Sequence, residues 1–81
     1  LKQYVDVLAN WEKTGKIVPV ALQLDGVRYK VERVFAAQPL ESLKSSPGTG
    51  FRYTVQICGQ RSYLYYGDAE KLWWVDVPGQ G

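Results

Sequence analysis

Chemistry near neutral pH needs side chains that change charge, coordinate a metal or attack, and this sequence holds few of them. The chain has no histidine and a single cysteine, Cys58. The usual general base and the commonest metal ligand are therefore both missing. Cys58 has no histidine to activate it, and beside Gly59 at a strand end it reads as a bystander thiol. Asp68 and Glu70 are paired carboxylates only along the sequence; between Gly67 and Lys71 they suit a polar turn. The Gly48 and Gly50 pair in Ser46-Pro47-Gly48-Thr49-Gly50 lacks the lysine and following helix that give a phosphate loop its chemistry. The expectation is a protein that is not an enzyme, with no catalytic residue, no cofactor and no metal.

Binding is a different matter. Alternation along residues 51–66 puts Arg52, Gln56, Arg61, Tyr63 and Tyr65 on one surface, and exposed tyrosines beside arginines make a contact face. Such a face can anchor a protein partner or a second copy of the chain, because Tyr and Arg are enriched in interface hot spots. It can also stack unpaired bases while Arg and Lys meet phosphates, with Arg28 and Lys30 extending it; this nucleic-acid reading is the alternative. A third reading makes the same tyrosines the lid of a minor core beneath the long 38–50 connection.

These side chains need hairpins to position them. Two apolar alternations meet at Asp25-Gly26, a dipeptide favoured in two-residue type I′ turns. The implied register sets Leu24 opposite Val27, Leu22 opposite Tyr29 and Val20 opposite Val31 on one side, with Gln23 opposite Arg28 and Ala21 opposite Lys30 on the other. The alternation then slips, which predicts a bulge or bend near Glu32 and Arg33. A second hairpin follows, with Gly59-Gln60 read as a type II′ turn. Val55 then meets Leu64 and Tyr53 meets Tyr66 inside, with Gln56 beside Tyr63 and Thr54 beside Tyr65 outside. A last strand runs from Leu72 to Val77 and stops at Pro78-Gly79. Of the adjacent Trp73 and Trp74, a strand can turn only one inward, and the loop length does not say which. Residues 1–12 fit a helix face through Tyr4, Leu8 and Trp11, but Tyr4, Val5 and Val7 favour a strand that turns at Lys13-Thr14-Gly15.

With 81 residues, 46% of them apolar and 14% aromatic, the chain suits one domain with a genuine core and is not of disordered composition. The architecture expected is all-β, a small barrel or tight sandwich of about six antiparallel strands built from hairpins over 1–81. A net charge of +2 falls short of the basic load of a dedicated nucleic-acid binder. No apolar run approaches a membrane span or a signal core, and a lone cysteine suits a reducing compartment, so a cytoplasmic protein without membrane contact is expected.

Tyr4-Val5-Asp6-Val7, Ile17-Val18-Pro19, Asp25-Gly26-Val27-Arg28-Tyr29, Glu32-Arg33-Val34, Ser42-Leu43-Lys44, Gly50-Phe51-Arg52-Tyr53-Thr54, Tyr63-Leu64 and Trp73-Trp74-Val75 form a combination covering nearly the whole chain. It resembles a family of short, uncharacterised bacterial proteins common in Gram-positive anaerobes. The resemblance implies a free-standing bacterial β domain and transfers no catalytic or binding residue. Taken together, these features describe a non-catalytic binding or interaction module.

Overall fold

The computed structural model describes residues 1–43 and 48–79. These residues form seven strands: β1 (Lys2–Trp11), β2 (Ile17–Leu24), β3 (Val27–Lys30), β4 (Arg33–Pro39), β5 (Gly50–Ile57), β6 (Gln60–Gly67) and β7 (Leu72–Asp76). All pair antiparallel in one sheet ordered β3-β2-β1-β7-β6-β5-β4, curled into a half-barrel. The all-β class holds, and residues 2–11 are strand. The seventh strand comes from the third apolar run, which divides at Val31 and Glu32 and continues through Pro39. Part of the expected 38–50 connection is thus strand, followed by one 3-10 turn at Leu40–Ser42. Lys44 to Pro47 of that connection lie outside the described residues.

The first hairpin has the register its turn dictates, with Leu24 opposite Val27, Leu22 opposite Tyr29, Gln23 opposite Arg28 and Ala21 opposite Lys30. Asp25 and Gly26 both take positive φ, 51° and 79°, as a type I′ turn requires. Val20 departs from expectation. Leu8 pairs with Ala21 and Ala9 with Pro19, so Val20 is the extra residue of a bulge and remains 42% exposed. Its carbonyl partner survives nonetheless, since Val31 N–H donates to the Val20 carbonyl at 2.9 Å.

The second hairpin turns one residue earlier than its sequence suggests. Cys58 and Gly59 occupy the turn at φ 51° and 74°, and Ile57 faces Gln60. This is again type I′, whose twist matches the strands. Every partner therefore moves by two: Tyr53 meets Leu64, Val55 meets Ser62, Thr54 meets Tyr63 and Gln56 meets Arg61. An even shift leaves each side chain on its expected face.

The inner face gathers Leu22, Val31, Tyr53, Val55, Leu64, Tyr66 and Trp73 into the main core. Trp73 is the inward tryptophan. Trp74 points outward into a smaller cluster with Tyr65, Leu40 and Leu43, so both indoles are buried on opposite faces of one strand. Between β3 and β4 two consecutive amides bond strands in opposite wings of the sheet: Val31 to β2, and Glu32 to the Gln56 carbonyl on β5 at 2.8 Å. The Glu32 carboxylate completes this corner by accepting from the Gln56 amide at 3.1 Å and the Gly59 N–H at 3.0 Å. Those two bonds, with the nearby Lys30 charge, hold its carboxyl below the usual range. Past the corner, β4 pairs only with β5, and the start of β2 only with β1. Tyr53 spans this open seam, its hydroxyl donating to the Ile17 carbonyl at 2.8 Å.

Gly50 opens β5 at φ 139°, where a Cβ would collide with the Tyr66 carbonyl oxygen. Both the backbone conformation and the space demand glycine. Gly50→Ala is expected to destabilise the fold by about 3 kcal/mol. Urea unfolding followed by tryptophan fluorescence checks this, and a midpoint matching the wild type would refute the account.

Candidate binding face

The outer surface of β4, β5 and β6 forms a grid of side chains. Strand β6 supplies Tyr65, Tyr63 and Arg61; facing them, β5 supplies Arg52, Thr54 and Gln56. On β4 the neighbours are Gln38, Ala36 and Arg33, and a bulge after Val34 adds Phe35. The sequence-derived set of Arg52, Gln56, Arg61, Tyr63 and Tyr65 is thus brought to one surface, but its members do different jobs.

Tyr65 belongs to the fold. It is 8% exposed and stacks on Trp74 at 5.5 Å with an interplanar angle of 4°, while Leu40 packs in the same cluster. The minor-core reading holds for this residue. Burial, with the Asp76 charge beside it, raises its hydroxyl pKa, and Arg52 opposes that rise. Gln56 is committed to the corner through Glu32. Tyr63 is 49% exposed and stands at the rim of that cluster, its ring 6.5 Å from that of Tyr65.

Three cation–π pairs stand on this surface, the longest being the Arg33 guanidinium 5.7 Å from the Phe35 ring. The Arg52 guanidinium lies 4.2 Å from the Tyr63 ring, and the Arg61 guanidinium lies 4.2 Å from the Phe35 ring. Arg52 also donates to the Gln38 side-chain carbonyl, yet its buried Nε has no partner among the described residues. Thr54 and Ala36 are short, so the surface dips between the taller side chains around them. A depression of about 200 Å³ results, lined by Thr54, Arg61, Ser62 and Tyr63. Strands β4, β5 and β6 carry Arg33, Arg52 and Arg61 and no acidic residue.

Arg28 and Lys30 do not extend this face along the sheet. They sit on β3, the strand at the far end of the sheet from β4. Lys30 approaches the site's edge only through the corner, where its charge acts on Glu32. Arg28 instead lies beside Asp6 and Gln23. Phe35 was missed, because a bulged residue breaks the alternation used to assign faces; the slip in the pattern after Val31 is the signal that marks the irregularity.

Elsewhere the chemistry is sparse. Of the larger hollows, about 440 Å³ each, one adjoins the face through Ser62, Tyr63 and Tyr65 and is otherwise lined mostly by apolar side chains such as Leu22, Leu24, Ile57 and Val75; the other is lined by Ile17, Val34 and Phe51 among others. Among the described residues no three His, Cys, Asp or Glu side chains converge, and no helix is long and apolar enough to cross a membrane. Comparison with protein-family models, curated proteins and solved structures finds no match to this chain.

The division of labour between the two tyrosines is measurable. Tyr65→Ala is expected to cost about 3 kcal/mol of stability, as loss of a buried aromatic does, whereas Tyr63→Ala costs under about 1 kcal/mol. Equal shifts in urea midpoint would contradict the assignment. Alkaline pH offers a second check. Burial, aided by Tyr66, pushes the Tyr53 hydroxyl up to about 12. An unfolded tyrosine ionises near 10. Between about pH 10 and 12 the unfolded chain releases a proton that the folded chain keeps, so stability falls as pH rises through that window. The urea midpoint should be steady below about pH 9.5 and drop by pH 11; a flat profile would contradict the burial of this hydroxyl.

Proposed function

We propose that this chain is a non-catalytic binding module whose partner is anionic and docks on the outer face of β4, β5 and β6. The observation that carries the reading is the pair of cation–π contacts, Arg52 on Tyr63 and Arg61 on Phe35, flanking a depression in strands that contain no acidic residue. A guanidinium held over a ring is pre-oriented and keeps its N–H edges available, so less side-chain freedom is lost when an anion arrives. Aromatic and arginine side chains together are what a recognition surface concentrates. The exposed Cys58 thiol suits a reducing setting such as the cytoplasm. Self-association is the weaker reading, because two copies meeting through this face would oppose like charges.

Heparin, a sulfated polyanion, tests the face directly. Arg33→Glu combined with Arg61→Glu should lower the salt concentration needed for elution much more than Lys13→Glu combined with Lys16→Glu. Both pairs change the net charge equally, and all four residues are exposed. Every anionic group that an arginine ceases to neutralise takes about 0.7 off the log–log salt slope, if the polyanion behaves like a single strand. Equal effects of the two pairs would show that only net charge matters and would sink the assignment.

A further inference from the structure

We infer that the anionic partner is single-stranded nucleic acid, with one unpaired base seated over Thr54 between Tyr63 and Arg61; this rests on the anionic-partner reading above. Three features of the depression select this ligand. Its walls are a ring and a guanidinium, the two kinds of plane on which unstacked bases are held. Tyr63 keeps half of its surface open, so a ring can reach it without displacing core atoms. The floor is Thr54, a donor and acceptor on a short side chain that leaves room for a base edge.

The charges are placed to match. Arg52 and Arg61 lie in the rows on either side of the Thr54–Tyr63 row, one beside Tyr65 and the other beside Gln56. Arg33 lies next to Gln56 on the neighbouring strand. A nucleic-acid strand laid along β5 and β6 would thus find cations on either side of the seated base, where its flanking phosphates fall. A protein partner fits less well. Its own lysines and arginines would find no carboxylate on these three strands, only Glu32 beside Gln56 and Asp76 beside Tyr65 at the margins, and the depression holds one ring where an interface core would present a broader apolar patch.

Fluorescence anisotropy of labelled oligothymidylate and oligouridylate strands of about ten residues, against an equally long strand of abasic sites, tests the inference. At low salt the base-bearing strands, DNA or RNA, should bind at least about tenfold more tightly than the abasic strand. Tyr63→Ala should remove about tenfold of that affinity while leaving the abasic strand unaffected, and Arg61→Ala should weaken both. Near-ultraviolet circular dichroism checks that the variants remain folded. Equal affinity for abasic and base-bearing strands would overturn base recognition and leave the anionic-partner reading standing. Absence of binding to any strand, with heparin retention still dependent on Arg33 and Arg61, would overturn nucleic acid as the ligand and point to an acidic protein. Loss of both behaviours would remove the two readings together.

Discussion

The shape of this protein depends on two adjacent peptide N–H groups. Val31 bonds β2 and Glu32 bonds β5, although β1, β7 and β6 lie between those strands in the sheet. In a flat sheet they would be about 19 Å apart, whereas neighbouring residues are separated by only about 3.8 Å. The sheet must therefore curl until its two wings meet at that corner. Glu32 secures the arrangement from its side chain as well, by collecting donors from Gln56 and Gly59. Curvature then separates the two faces by character. Concave side chains converge and exclude water around Val55, Leu64 and Tyr66, all 2% exposed or less. Convex side chains splay apart, and where short ones sit in the middle, as Thr54 and Ala36 do, a recess is left.

The convex face is itself divided. At one end, alternation along β6 and β7 sends Tyr65 and Trp74 outward, and Leu40 and Leu43 fold back to cover them. Lys2 adds its ammonium 4.0 Å from the Trp74 ring. One row further along β6 this cover ends, and Tyr63 is open. Burial at one end fixes the strands that hold the exposed rings at the other, so the minor core and the binding face are consecutive parts of one surface.

Much of this is legible in the residues alone. Asp25-Gly26 specifies both turn type and register, because a two-residue loop with positive φ at both positions permits little else. The second turn is misplaced by one residue when read from its glycine: Cys58 adopts the left-handed conformation, which a glycine-first reading of Gly59-Gln60 excludes. The faces are still assigned correctly, since moving a two-residue turn by one changes the partner positions by two. Local patterns do not encode which distant strands pair, so the β1–β7 ladder has no sequence signature, whereas the bend at the corner shows in the slip of alternation near Glu32 and Arg33. The bulges at Val20 and Phe35 are hidden for a related reason. Alternation assumes a regular ladder, and an extra residue satisfies the backbone while inverting its own side chain. That is how Phe35 escapes notice while its partner Arg61 is found.

The open seam raises a separate issue, that of strand edges in crowded solution. A half-barrel leaves backbone groups of β4 and of the first part of β2 without ladder partners, and such edges can template pairing between chains. Here both are blunted. Pro39 ends β4 without an N–H to offer, and Phe35 breaks its pleat; across the gap, Pro19 lies in the part of β2 that pairs with β1 alone, and Val20 bulges beside it. Arg33 sets a charge at the start of the β4 edge. Prolines and displaced single residues along the seam thus leave little regular backbone for another chain to pair with, so an open half-barrel need not be an invitation to edge-to-edge growth.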